Sequence, residues 1–126
     1  NNLTALGKFI YGNYTSSSMT IICNHEYGCE LENIILLGWF QYDLICKAKR
    51  CNYRCSERLS CFDTKIISNY NGSEIEVICE SNESCGDIRI NVENIKSLKV
   101  TCIDEESCDG AVITVNNVES TVIECW

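Results

Sequence analysis

The chain has 126 residues, which is enough for one domain with a buried core and too few for two ordinary domains. Its 18 acidic and 10 basic side chains give a net charge of −8. This charge argues against nucleic acid or an anionic membrane surface as a partner, because both need clustered lysine and arginine. No apolar run approaches the roughly 18 residues of a membrane span. We therefore predict a single domain over residues 1–126, without nucleic-acid partners or membrane insertion.

The cysteine content points to the compartment. Eleven cysteines in a chain of this length are typical of an oxidising environment. Four Asn-x-Ser/Thr glycosylation sequons agree with it: Asn2, Asn13, Asn71 and Asn82. We predict an extracellular or cell-surface protein that carries N-linked glycans and no other cofactor.

The head of the chain, residues 1–17, contains no cysteine. Within it, Phe9, Ile10 and Tyr11 form a run that is typical of a β-strand. The cysteine-rich repeat described next begins at Ser18. We therefore interpret residues 1–17 as an incomplete N-terminal coil of the same architecture.

From Ser18 onward, a β-rich segment that ends in cysteine recurs at a fixed interval. The interval is 23 residues from Cys23 to Cys46, and it is again 23 residues from Cys79 to Cys102 and from Cys102 to Cys125. A second cysteine follows six residues later in three of these repeats, and Cys61 takes that place in a fourth. This second column is Cys29, Cys61, Cys85 and Cys108. A fixed period with two cysteine columns indicates a repeat architecture.

One interval departs from the period. Cys46 and Cys79 are 33 residues apart, which is one repeat plus ten. Ile66 follows Cys61 by five residues, as an isoleucine follows the second-column cysteine elsewhere, so the extra residues fall before Cys61. We therefore predict an inserted loop over residues 47–60. It is basic, as binding loops on a scaffold can be, and it holds two further cysteines, Cys51 and Cys55.

The apolar pattern within each repeat predicts the fold. Ile88, Ile90 and Val92 alternate with polar residues, and alternation over so few residues indicates short strands. A 23-residue unit of short strands buries its apolar face only when it stacks on copies of itself. We therefore predict an all-β, parallel β-solenoid of about five coils, with Asn94 and Asn117 stacked as a turn ladder. The rival is an antiparallel β-sandwich, which needs no fixed interval.

Eleven cysteines allow several disulfide maps, and spacing does not decide among them. Equivalent cysteines of adjacent coils would lie about 4.8 Å apart, a separation that a disulfide accepts. The alternatives are pairing within a coil, as in Cys79–Cys85, and pairing to the next coil, as in Cys85–Cys102. We favour pairing within a coil, which leaves Cys125 as a free or intermolecular thiol. The favoured pairs are Cys23–Cys29, Cys46–Cys61, Cys51–Cys55, Cys79–Cys85 and Cys102–Cys108.

Metal binding and catalysis receive little support. Cys51-x3-Cys55 resembles a zinc spacing, but no second pair follows at the distance of a zinc finger. The acidic turns 80–83 and 104–106 match no calcium-loop pattern, so we interpret them as solvated turn acids. His25, the one histidine, is interpreted as a turn residue, and a catalytic triad cannot be built around it. We predict no metal and no enzymatic activity.

Two seven-residue segments carry a family resemblance. Cys79-Glu-Ser-Asn-Glu-Ser-Cys85 and Cys102-Ile-Asp-Glu-Glu-Ser-Cys108, each followed by alternating Ile and Val, resemble cysteine-rich repeats in uncharacterised extracellular proteins of protists and algae. The likeness extends over residues 18–126 except the insertion, although this chain lacks a further cysteine between Cys85 and Cys102. The resemblance implies a secreted parallel β-helix without a known activity.

The two ends of the chain are predicted to form an assembly interface, because an open solenoid exposes strand edges that invite pairing. The head and the incomplete C-terminal coil 120–126 together amount to about one coil. We therefore predict a structural subunit that stacks head to tail with copies of itself into a glycosylated filament. The interface residues are Phe9, Ile10, Tyr11, Val122, Ile123 and Trp126. The alternative is an adhesion or ligand-binding module that acts through residues 47–60 on other surface proteins or glycans.

Overall fold

The computed structural model describes residues 2–4, 18–23, 34–36 and 41–126. Regular secondary structure in this part of the chain consists of β-strands in two parallel sheets. Sheet 1 contains β1 (Asn2–Thr4), β2 (Ser18–Cys23), β4 (Gln41–Cys46), β6 (Lys65–Ser68), β8 (Arg89–Glu93) and β10 (Val112–Asn116), in that spatial order. Sheet 2 contains β3 (Ile34–Leu36), β5 (Arg50–Cys55), β7 (Glu74–Cys79), β9 (Ser97–Cys102) and β11 (Ser120–Cys125).

From β2 to β11 the chain alternates between the two sheets. Each strand pairs in parallel with the strand of its own sheet one turn away, so the chain winds as a β-solenoid of about four turns. The predicted fold class, an all-β parallel β-solenoid stapled by disulfides, is confirmed. The antiparallel sandwich is excluded, since every strand pairing is parallel among the described residues.

The core forms because alternate side chains of strands β4 to β9 point between the sheets. In β7 the inward residues Ile75, Val77 and Cys79 are buried, while Glu74 and the other outward residues are only partly covered. The parallel register stacks inward residues of successive turns into columns, so Val77 lies opposite Val100. A one-residue slip would turn each column to the solvent, so burial defines the register. Each fully buried aliphatic side chain contributes about 1.5–3 kcal/mol.

Two tyrosines fill the first fully described turn. Tyr42 of β4 and Tyr53 of β5 are both buried. Burial disfavours the charged phenolate and raises the pKa of Tyr42 to about 12. It raises the pKa of Tyr53 further. Both rings therefore stay neutral at physiological pH and act as large apolar fillers.

The turn from sheet 2 to sheet 1 repeats the same backbone conformation at each level. Asp63, Asp87 and Gly110 occupy equivalent places with φ of 57°, 52° and 74°. Aspartate tolerates this left-handed region, and glycine adopts it freely. Successive turns are joined by backbone hydrogen bonds, such as that from the Cys85 N–H to the Ser107 carbonyl at 2.7 Å. The turns therefore stack as regularly as the strands.

The predicted insertion at residues 47–60 is wrong. Strand β5 lies within this range and pairs in register with β7, which places Cys55 opposite Cys79. Cys46 instead ends a strand of sheet 1 and lies opposite Ser68. The cysteines at 46 and 79 therefore belong to different sheets. Their separation of 33 residues spans one turn plus the step from sheet 1 to sheet 2, and no residues are extra.

Candidate assembly surface

The disulfide map follows the within-coil principle but corrects two of the predicted pairs. Cys79–Cys85 and Cys102–Cys108 are confirmed, with Cα atoms 5.8 and 5.9 Å apart. The predicted pairs Cys46–Cys61 and Cys51–Cys55 are wrong. The bonds observed are Cys46–Cys51 and Cys55–Cys61. The predicted Cys23–Cys29 pair lies outside the residues whose side chains are described.

The correction has a simple geometric cause. Cys51 and Cys55 are both inward-facing residues of β5, at opposite ends of the strand. Cys51 therefore meets Cys46 across the turn that enters β5, and Cys55 meets Cys61 across the turn that leaves it. Four disulfides among the described residues indicate an oxidising, non-cytosolic environment.

Cys125 continues a cysteine column but has no disulfide partner. It lies opposite Cys102 at the end of β11, and it is the free cysteine of the described part of the chain. Its side chain is exposed, whereas Cys79 and Cys102 of the same column are buried. The prediction of an unpaired thiol at this position is confirmed for the single chain. An intermolecular bond through it stays a prediction.

Two of the four glycosylation sequons fall on described side chains. Asn71 is exposed in the turn between β6 and β7, beside Gly72 with φ of 82°. Asn82 is half-buried, and its side-chain amide donates to Glu106 Oε2 at 3.2 Å. Asn71 is thus the more accessible acceptor of the two. Asn2 and Asn13 lie outside the described side chains, and glycosylation at all four sites stays a prediction.

The turn formed by β10 and β11 has core positions that are partly exposed. We call β10 and β11 together the C-terminal edge. Val115 and Ile123 are 42% and 50% exposed, although they lie opposite the buried Val92 and Val100. Trp126, directly after β11, is 76% exposed. Val115 and Ile123 thus occupy core positions, whereas Trp126 lies in register with Ile103, which is itself 45% exposed.

On the side away from β8 and β9, the same edge meets no strand of the described residues. The Val112 N–H donates to the Ile88 carbonyl at 2.9 Å, and the Ser120 N–H donates to the Lys96 carbonyl at 3.1 Å. Backbone groups alternate in direction along a strand, so the intervening residues turn their N–H and C=O groups toward the open side. These are Ile113, Val115, Thr121, Ile123 and Cys125. The edge is therefore a ready template for one more parallel strand in each sheet.

The predicted asparagine ladder is present and ends at this edge. The Asn117 Nδ2 donates to Asn94 Oδ1 at 2.7 Å, and both residues are left-handed, with φ of 55° and 57°. Asn117 is exposed at the last level of the stack. Each asparagine amide has both a donor and an acceptor, so the Oδ1 of Asn117 can accept a further rung.

Ion pairs also link successive turns on the outer surface. Arg50 Nε lies 2.9 Å from Glu74 Oε2, and Arg58 pairs with Glu83 at 3.3 Å. The hydrogen bond from Arg50 holds the pKa of Glu74 below its ordinary value. Arg50 and Arg58 of residues 47–60 thus contact acids of the adjacent turn.

Of the predicted interface residues, Ile123 lies on the C-terminal edge with its apolar surface open, and Trp126, directly after β11, is exposed in register with the exposed Ile103. Val122 is 41% exposed but faces outward from sheet 2, away from the core columns. Phe9, Ile10 and Tyr11 lie outside the described residues. Sequence reasoning missed Val115 and the rest of β10, although the 23-residue interval from Val92 was a signal for it.

The described residues show neither a metal site nor a membrane-spanning helix. They contain no group of three or more His, Cys, Asp or Glu side chains placed to hold a metal ion. Within them, no helix is long and apolar enough to cross a membrane. Comparison with protein-family models, with curated proteins and with solved structures finds no match to this chain. The candidate site is therefore argued from the geometry of the C-terminal edge.

Proposed function

We propose that this protein is a non-enzymatic, extracellular structural subunit, and that copies of it stack head to tail into a glycosylated filament. The observation that carries the proposal is the C-terminal edge, where apolar side chains at core positions are about half exposed. Such edges in stable solenoids are normally protected, because they pair readily with other chains. A second copy that adds a turn would satisfy the backbone groups and the apolar side chains together.

Covering the edge would contribute favourable free energy to association. Val115 and Ile123 are each about half exposed, so covering them gains roughly 1 kcal/mol apiece. The open N–H and C=O groups of five edge residues would each form a hydrogen bond with a net value of about 0.5–1.5 kcal/mol. These gains oppose the entropic cost of association, so we expect assembly at high protein concentration.

Extracellular localisation and glycans belong to the same proposal. Buried disulfides require an oxidising environment, and the secretory route supplies both this environment and N-linked glycans. Asn71 supports the glycan part because its side chain is exposed at a turn.

The alternative, a binding module that acts through residues 47–60, depends on a protruding loop. No loop protrudes there, since β5 is an internal strand of sheet 2 between β3 and β7. Arg54 Nε also lies 2.9 Å from Glu80 Oε1, an ion-pair distance without hydrogen-bond alignment. With Arg50, Arg54 and Arg58 paired to acids of the neighbouring turn, this segment stabilises the stack, and we do not propose it as a ligand site.

The proposal is tested by sedimentation and negative-stain electron microscopy across a range of protein concentrations. The wild-type protein should form fibres or concentration-dependent oligomers. The Ile123→Glu variant should stay monomeric, because it places a charge in the inward-facing column of the edge. The matched control is Val122→Glu on the same strand, which faces outward beside Lys99 and should assemble like wild type. Monodisperse wild-type monomers at high concentration would refute the proposal.

A further inference from the structure

One glycosylation sequon lies inside a disulfide loop. Asn82, Glu83 and Ser84 form this sequon, and the bond between Cys79 and Cys85 encloses it. We infer that closure of this disulfide competes with glycan attachment at Asn82, so that Asn82 accepts a glycan only while the two cysteines are still apart. The inference rests on the extracellular, glycosylated part of the proposed function. It adds which site is restricted and which event restricts it.

The folded turn hides the groups that the modifying enzyme must reach. An N-glycan transferase approaches the asparagine amide and reads the hydroxyl group two residues later in the sequon. Ser84 is fully buried, and its Oγ accepts a hydrogen bond from the Ser81 N–H at 3.3 Å. The Asn82 Nδ2 donates to Glu106 Oε2 of the next turn at 3.2 Å. Both groups that identify the sequon are therefore engaged within the stack.

The backbone of the sequon is also held in a bent form. Glu83 has φ of 53°, in the left-handed region. The Ser84 N–H donates to the Ser81 carbonyl at 3.0 Å, and the Ser84 carbonyl accepts from the Cys61 N–H of the adjacent turn at 2.7 Å. The disulfide holds the Cα atoms at the two ends of the loop 5.8 Å apart. The same six residue steps would span about 20 Å in an extended chain, so the closed loop cannot present an extended sequon.

The sequon at Asn71 differs because none of the described disulfides encloses it. It lies between two disulfide loops, residues 55–61 and 79–85. Its hydroxyl, on Ser73, is also buried and donates to the Ala48 carbonyl at 2.8 Å. That burial depends on noncovalent docking, which local opening reverses. Asn71 is therefore the internal reference for a sequon that is free of covalent closure.

The two competing reactions consume different groups of the same loop. In glycan attachment, Asn82 Nδ2 bonds to the anomeric carbon of a lipid-diphosphate oligosaccharide and loses a proton. The glycosyl–phosphate bond breaks, and the lipid diphosphate leaves. In closure, the thiols of Cys79 and Cys85 give two protons and two electrons to an oxidising disulfide of the secretory route, which becomes a dithiol. Closure takes seconds to hours, so the order of the two reactions decides the state of each chain.

Glycopeptide mass spectrometry of chains expressed in the secretory route of eukaryotic cells tests the inference. In the double variant Cys79→Ala, Cys85→Ala, the occupied fraction of Asn82 should rise about threefold or more over wild type, because the competing reaction is removed. Occupancy of Asn71 should change little. The matched control is Cys55→Ala, Cys61→Ala, which opens a loop of the same length on the adjacent turn without an asparagine inside it. This control should leave Asn82 near its wild-type occupancy.

A brief dithiothreitol treatment during synthesis gives a second readout on the unsubstituted chain. It keeps the thiols reduced, so occupancy of Asn82 should rise as in the first double variant, even if that variant fails to fold. An occupied fraction that neither the variant nor the reductant changes would overturn the inference while leaving the glycoprotein proposal intact. An equal rise in both double variants would overturn it too, because delayed folding alone would then be the cause. Absence of glycans at every sequon in every sample would overturn the glycan part of the proposed function as well.

Discussion

Because the C-terminal edge is exposed, we predict that truncation of isoleucine to alanine destabilises the protein less at this edge than in a covered turn. Ile90 of β8 is 1% exposed, whereas Ile123 of β11 is 50% exposed. Truncation of a fully buried isoleucine to alanine costs about 2–5 kcal/mol, because it removes apolar contacts and leaves a cavity. At Ile123 about half of the transfer term is already lost to water, and no closed cavity forms. We therefore expect a loss of about 3 kcal/mol for Ile90→Ala and about 1 kcal/mol for Ile123→Ala.

Urea unfolding of dilute, monomeric protein measures both losses. The midpoint of Ile90→Ala should fall by roughly three times as much as that of Ile123→Ala, with unchanged slopes. At concentrations where copies stack, Ile123 becomes covered, so its truncation should weaken assembly by about 1.4 kcal/mol, or tenfold in the dissociation constant. Equal losses in the dilute monomers would mean that Ile123 is already buried there, and the reasoning about an open edge would fail.

Two further predictions concern the disulfides and the surface ion pairs. Replacing Cys79 and Cys85 together by alanine removes a closed loop of about six residues and should lower the free energy of unfolding by about 2 kcal/mol under non-reducing conditions. Cys125→Ser should change it by less than about 0.5 kcal/mol, and a loss equal to that of the double variant would show that Cys125 is bonded. The hydrogen bond from Arg50 lowers the folded-state pKa of Glu74. The contribution of Glu74 to the free energy of unfolding is therefore present above its unfolded-state pKa and is lost as the pH falls through its folded-state pKa. Glu74→Gln should therefore reduce the fall of the urea midpoint with decreasing pH below about pH 4.5. An unchanged fall would contradict the assignment of this pH dependence to Glu74.

The coil length and the inward-facing pattern could be predicted from sequence because both are repeated. The interval of 23 residues is the register that the structure uses from Cys79 to Cys102 and from Cys102 to Cys125. The turn ladder of Asn94 and Asn117 followed from the same interval. Each of these predictions depends on the number of residues that separates equivalent positions. A stack of parallel strands keeps this separation the same from one level to the next.

The sheet to which a strand belongs could not be predicted in the same way. Strands of both sheets show the same alternation, and both end in an inward-facing cysteine, as β4 does at Cys46 and β7 does at Cys79. Periodicity therefore aligned residues that lie on opposite sheets and assigned the difference to an insertion. Pairing settles the question, since Cys55 lies opposite Cys79. The half of the C-terminal edge formed by β10 was missed because the prediction considered the chain terminus and not the sheet.

The described disulfides leave the boundaries between turns free of covalent links, so the proposed stacking of copies would need no chemistry beyond that within one chain. Each described disulfide joins cysteines five or six residues apart, so it closes a turn within one level and crosses no boundary between levels. Successive levels are held by backbone ladders, apolar columns and paired charges such as Arg50 and Glu74. The C-terminal edge displays the first two of these in the same geometry. A boundary between two copies is then equivalent to a boundary between two turns, apart from the entropic cost of bringing separate molecules together.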